Sequence, residues 1–126
     1  MHSLSMQSFS MIKNSIRKKP EMMPGTLELL ILKTLERHRE PLHGYGIARH
    51  IQRASGDVLQ VEEGSLYPAL QRLAVKGWVE AEWGVSDNNR RARLYRLTPA
   101  GRKQINEEVA DFERLLEAIL RVVRPA

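Results

Sequence analysis

The hydrophobic period of the chain changes at Gly77, and that change limits the folds open to it. Before it, Leu66, Ala69, Leu70 and Leu73 fall at i, i+3, i+4 and i+7, the buried stripe of an amphipathic helix. After it, residues 78–83 (WVEAEW) alternate, with Val79, Ala81 and Trp83 on one face of a strand. Gly77 is a natural C-terminal stop between the two. The helix ending there (SLYPALQRLAVKG from residue 65) turns an odd side outward. At about 100° per residue, Tyr67, Pro68 and Gln71 lie opposite the leucines, with Ser65, Arg72 and Lys76 at one edge. A proline is cheap only in a first helical turn, which makes Ser65 the expected N-cap.

Two further helical segments come first. Residues 26–40 carry apolar side chains at 27, 30, 31 and 35 and are closed by Pro41. Residues 43–55 (HGYGIARHIQRAS) carry Ile47, Ala48 and Ile51 at helical spacing and end at Gly56-Asp57. Residues 58–62 read as a brief extended piece. Residues 84–92 (GVSDNNRRA) form a loop with turn chemistry at Asp87, Asn88 and Asn89, and residues 93–98 (RLYRLT) a second strand. Three helices followed by a hairpin predict a winged helix-turn-helix domain, an α+β fold that is mainly α. The connector between the second and third helices is longer than a compact helix-turn-helix turn.

Thr98-Pro99 opens a last helix as N-cap and first helical residue. Within it Ile105, Val109, Phe112, Leu116, Ile119 and Val123 follow spacings of 4 and 3, a coiled-coil seam that Leu115 and Leu120 widen. A terminal helix this apolar needs a groove or a second copy of itself as cover. The seam favours a dimerisation helix over one packed within its own chain. The chain thus divides into a basic arm, helical or frayed, over residues 1–24, a winged-helix domain over 25–98 and a C-terminal dimerisation helix over 99–126.

At 126 residues, with a formal charge of +5, this is one small domain plus an arm, leaning towards a polyanionic partner. The arm holds four basic groups and one acid, residues 25–98 eleven and nine, and residues 99–126 five and five. The excess positive charge therefore sits in the first two parts. Without cysteine there are no disulfides or thiolate metal sites, and a cytoplasmic protein is the simplest reading. No apolar run approaches the ~18 residues of a membrane span. The acid-poor arm superficially resembles a transit peptide; against that stands a frayed helix, with Phe9, Ile12 and Ile16 as a weak stripe.

The residues that carry chemistry point to nucleic acid. Asn89, Arg90, Arg91 and Arg93 cluster at the hairpin tip, where guanidinium groups suit phosphates or a narrow minor groove; the alternative is a solvated charged hairpin. Gln71 can pair with an adenine edge and Arg72 with guanine or a phosphate, while Ser65 and Tyr67 offer hydroxyls. Against this, Tyr67 packs on the hairpin and Gln71 merely solvates. Glu62 and Glu63 either favour the helix dipole or repel wrong DNA. His43 and Tyr45 begin the second helix, a usual place for a phosphate contact, although the glycines there equally suit close helix packing. Trp78 and Trp83 are the only tryptophans and lie on opposite strand faces. One of them is a candidate for a ligand pocket or subunit contact, with a half-buried structural role as the commoner alternative. No nucleophile–base pair, Gly-rich phosphate loop or metal-ligand spacing appears, so no catalytic residue, metal or cofactor is expected.

Taken together, HGYGI, GSLYPALQRL, KGWVEAEW and RRARLYRLTPAGR resemble the PadR family of bacterial transcriptional regulators, over residues 25 to about 120. The resemblance implies a homodimer whose winged helices bind DNA and whose C-terminal helix, often with N-terminal help, forms the dimer. It also implies repression at short inverted repeats, with release by small hydrophobic, phenolic or drug-like ligands in some members. Ser65, Tyr67, Pro68 and Gln71 would fall on the recognition helix, and Asn89, Arg90, Arg91 and Arg93 on the wing. The single C-terminal helix matches a shorter-tailed subgroup. The arm of residues 1–24 is longer and more basic than the resemblance leads one to expect; it is read as a dimer contact, a DNA contact or a start codon read too early. The rival from another class is a winged helix used as a protein-interaction module, with the seam recruiting a different partner.

Overall fold

The structure, a computed structural model, describes Met22 and residues 25–85 and 88–124. The expected arm, apart from Met22, lies outside the described residues, as does Asp87 of the hairpin loop. The described elements are α1 (Thr26–Arg37), β1 (Leu42–His43), α2 (Gly44–Ala54), α3 (Glu63–Val75), β2 (Val79–Val85), β3 (Arg91–Leu97) and α4 (Pro99–Val123). The strands form one antiparallel sheet in the order β1-β3-β2. Helices dominate and a small sheet closes the hairpin side, the winged-helix layout that the change of period predicts.

The centre of the core is α1. Its Leu27, Ile31, Leu32 and Leu35 meet Ile47 and Ile51 of α2, the Leu66, Ala69, Leu70, Leu73 stripe of α3, Val79 and Tyr95 of the sheet, and Ile105 of α4. Each helix turns one stripe inward, and together the stripes bury a continuous apolar interior.

Besides α1, which ends at Arg37 with His38 extended rather than running on to Glu40, three boundaries differ from expectation. The short β1 strand pairs Leu42 with Tyr95 and His43 with Leu94, adding a third strand to the hairpin; two residues are too few to leave an alternating pattern. The hairpin strands run further towards the tip than the sequence suggests, pairing Gly84 with Ala92 and Val85 with Arg91 beyond the Trp83–Arg93 pair. Arg91 is therefore a strand residue like Arg93, and the described part of the tip includes Asn89, whose φ of 60° is a left-handed conformation that asparagine tolerates.

The third difference corrects the reading of Ser65 as a cap. Helix α3 starts at Glu63, and the backbone N–H groups of Ser65 and Leu66 both donate to the Glu62 carbonyl, at 3.0 and 2.9 Å. Ser65 is thus already helical and Pro68 lies in the second turn rather than the first. The carbonyl that loses its donor to Pro68 belongs to Gly64, an exposed residue, so water can take the bond.

The far end of α3 closes as expected. Gly77 has φ 78°, its N–H donates to the Ala74 carbonyl at 3.0 Å, and the Trp78 N–H donates to the Leu73 carbonyl at 3.0 Å. This is a Schellman closure, with Trp78 packed on the core beside Leu73. The same junction anchors α4. Thr98 Oγ1 donates to the Gly77 carbonyl at 2.6 Å and accepts from the Gly101 N–H at 3.0 Å, while the Thr98 N–H donates to the Trp78 carbonyl at 3.0 Å. A Cβ on Gly101 would stand 2.1 Å from the Trp78 carbonyl oxygen, so only glycine fits there. Through this knot the start of α4 is fixed against the end of α3.

Candidate nucleic-acid interface

With its leucine stripe buried, α3 presents Ser65, Tyr67, Pro68, Gln71, Arg72 and Lys76 to solvent. No acidic residue occurs between residues 64 and 76. Glu63 supplies a carboxylate in the first turn, where the helix dipole favours it.

The Tyr67 ring lies over Gly44, where an added Cβ would meet the phenolic oxygen at 2.8 Å. Gly44 is thus the space into which Tyr67 leans, which joins α3 to the start of α2. Partial burial, with Glu63 and then Tyr95 contributing, raises the Tyr67 pKa above its ordinary value of 10.0, so the group remains a phenol that can donate a proton. Arg72 is tethered rather than free: its Nε donates to Glu28 Oε1 at 2.6 Å. Glu28 is buried on α1, and the guanidinium satisfies its carboxylate. Nε is only one of the five donors of an arginine.

The start of α2 forms a second cluster. His43 is the N-cap, and its Nδ1 accepts the Gly46 N–H at 2.9 Å, which leaves the ring proton on Nε2 as a donor. The His43 and Tyr45 rings stack with centroids 6.2 Å apart. Tyr45 is exposed, and the Arg49 guanidinium carbon sits 5.6 Å from its ring centroid. The sequence reading missed Arg49, although its i,i+4 spacing from Tyr45 was a usable signal.

On the wing, cross-strand partners share a face. The face holding Val79, Ala81, Leu97 and Tyr95 over the core continues outward as Trp83, Arg93, Val85 and Arg91. Trp83 remains 57% exposed, with the guanidinium carbons of Arg91 and Arg93 at 4.5 and 5.4 Å from its ring centroid. The opposite face holds Glu80, Glu82 and Arg96, and Arg96 Nε donates to Glu80 Oε1 at 2.7 Å. Asn89 and Arg90 are exposed at the tip.

The two tryptophans are separated. Trp78 precedes β2, half-buried on the core with Lys76 Nζ 4.7 Å from its ring centroid, whereas Trp83 is exposed far along the strand. A surface depression beside α4 is bounded by Leu97, Thr98, Pro99, Arg102 and Lys103, and neither tryptophan lines it.

Along α4 the seam splits. Ile105 is fully buried within its own chain, so it leaves the set of candidate dimer residues and joins the core; Val109 packs half-buried against the same core. Beyond them Phe112 and Ile119 are half-buried, and Leu115, Leu116, Leu120 and Val123 are exposed, together with Val122. Among the described residues no group of three His, Asp or Glu side chains is placed to hold a metal ion, and no helix is long and apolar enough to cross a membrane.

Comparison with known proteins gives a consistent picture. The model of the transcriptional regulator PadR-like family matches residues 31–107. An uncharacterized protein of Lysinibacillus sphaericus is 33% identical over 103 residues, 80% of this chain and 91% of its own. A transcriptional regulator from Clostridium thermocellum superposes with a TM-score of 0.69 at 26% identity, over 79% of this chain and 95% of its own. A PadR-like transcription factor from Bacteroides fragilis does so with a TM-score of 0.59 at 31% identity, over 88% and 97%.

Proposed function

Because the chain belongs to the PadR-like family of transcriptional regulators, whose members are DNA-binding proteins and not enzymes, we propose that it is a cytoplasmic repressor that binds an inverted-repeat operator as a homodimer. Each subunit enters a major groove with residues 65–76 of α3 and lays the wing alongside. Residues 25–98 do the binding, and residues 99–126 hold the two copies together. With two-fold symmetry the half-sites fall about one helical turn apart.

The observation that carries this reading is the displayed face of α3, backed by the core and free of acidic side chains from residue 64 to residue 76, together with a wing on which Arg91 and Arg93 share one face. Gln71 is the candidate base reader, with Ser65 and Tyr67 as hydroxyl donors to phosphate. Tyr67, leaning on Gly44, brings the start of α2 to the same surface, so His43 Nε2–H, Tyr45 and Arg49 become candidate backbone contacts. Dimerisation is supported by the apolar stripe on the second half of α4, where Leu116, Leu120 and Val123 are exposed and Phe112 and Ile119 half-buried. A small hydrophobic or aromatic effector releases the repressor in this reading, and Trp78 and Trp83 are the aromatic residues offered to it.

The test is a fluorescence-anisotropy titration of duplex DNA from upstream of its own gene, against a scrambled duplex, at low and near-physiological salt. Preference for its own DNA that survives the higher salt is the expected result. Equal, salt-sensitive binding to both would reduce the claim to a basic surface, and no binding would favour the protein-interaction module.

A further inference from the structure

The position of Trp83 needs a reason beyond packing. It extends the core face of β2 beyond the buried residues, and a tryptophan left 57% exposed gives up most of what its large apolar surface would contribute by burial. Its neighbours are both cationic. Arg93 is its direct cross-strand partner and Arg91 stands one diagonal further out, opposite Val85. Both guanidinium carbons lie within 6 Å of the ring centroid, at 5.4 and 4.5 Å, inside the range of cation–π attraction. Like charges set two apart on one strand face repel each other, and the indole offers both an electron-rich surface.

We propose that Trp83 is a positioning residue for DNA binding, a platform that holds the Arg91 and Arg93 guanidinium groups in a fixed array on one face of the wing. The inference rests on the reading of the wing as a phosphate- or minor-groove-contacting element. Arginine side chains on a solvent-exposed hairpin otherwise sample many rotamers, and freezing them on contact with DNA costs entropy. Stacking on Trp83 meets part of that cost before DNA arrives. A guanidinium can stack through its plane and still turn its edge donors to a phosphate, which an ammonium cannot do. Trp83 itself need not touch DNA.

The test is a set of variants in the full chain, titrated by anisotropy against duplex DNA from upstream of its own gene. Trp83→Leu, which keeps every charge, is expected to weaken binding about fivefold, or ~1 kcal/mol, and Trp83→Phe to recover part of the loss. In an Arg91→Ala, Arg93→Ala background the same Trp83→Leu change is expected to have no further effect, because its route to DNA is gone. Arg91→Lys with Arg93→Lys, which keeps the charge and removes the planar group, is expected to match Trp83→Leu without touching the tryptophan. Full additivity of Trp83→Leu with the double alanine variant would overturn the proposal by showing that Trp83 acts on DNA directly. So would undiminished binding by the double lysine variant. If the double alanine variant binds as tightly as the parent, the wing reading itself is wrong and the proposal falls with it.

Discussion

The two halves of α4 carry the same apolar repeat and meet opposite fates. Over the first turns, Gly101 and Ile105 are buried and Val109 packs on the core beneath α1. Past residue 110 the stripe continues through Phe112, Leu116, Ile119 and Val123, but here Phe112 and Ile119 are only half-buried and Leu115, Leu116, Leu120 and Val123 are exposed. At about 1.5 Å per residue, a 25-residue helix spans ~37 Å, longer than the body of a small domain can cover. The knot at Thr98, Gly101 and Trp78 fixes where the helix starts, and among the described residues burial falls off along its length. One repeat therefore meets two environments, and position along the helix separates them.

The sharpest way to break that distinction is to substitute one residue in each half. Ile105→Ala removes a fully buried side chain and should cost about 3 kcal/mol of stability, read as a lower denaturation midpoint that persists on dilution. Leu116→Glu changes an exposed position and should leave the subunit fold standing. Its effect is expected on association instead, losing the ~2 kcal/mol that burial of a leucine contributes, with sedimentation shifting towards the single-chain species. If Leu116→Glu unfolds the protein at all concentrations, or Ile105→Ala acts mainly on assembly, the two halves are not distinct.

The same contrast explains what the sequence made legible. Its periods identified α1, α2, α3, α4 and the hairpin because each has a stripe or an alternation, and the Gly77 stop and the Thr98 cap are local chemistry visible in any chain. A period names a face and does not name what covers it, so Ile105 read as part of a seam and Trp83 as core or pocket. The start of α3 was misplaced because Pro68 was allowed only a first turn, whereas exposed Gly64 tolerates it in the second. The pairs Arg72–Glu28 and Arg96–Glu80 join residues 44 and 16 positions apart, a separation that no local pattern reports. Arg49 was legible by its spacing from Tyr45 and was passed over.

A second comparison, between α3 and the wing, yields smaller effects. Gln71 projects from a helix whose backbone is held on one side by the core and at its end by the Gly77 closure. Removing its amide should leave the overall salt dependence alone and relax discrimination at one base pair, by roughly 1–2 kcal/mol. A panel of single-base operator variants would check this: the preference should flatten at one position per half-site. Uniform weakening across the panel would instead mark Gln71 as a backbone contact.

The smallest effect is expected from Arg96, and it tests the faces of the wing against each other. Arg96 has the same charge as Arg91 and Arg93 and lies on the same strand, but on the face shared with Glu80 and Glu82. Its hydrogen bond to Glu80, with Glu82 and the Glu80 charge adding to it, raises its pKa above the ordinary arginine value and spends its charge inside the hairpin. Counterion release counts the phosphates a protein neutralises, so an arginine already neutralised by two carboxylates contributes little to the salt slope. Arg96→Ala should therefore change DNA affinity less than about twofold and leave the slope as it was, whereas Arg91→Ala should make the slope shallower by about one. Equal losses from the two substitutions would mean that the wing acts as a diffuse basic loop, and that the face carrying Trp83 has no privileged relation to DNA.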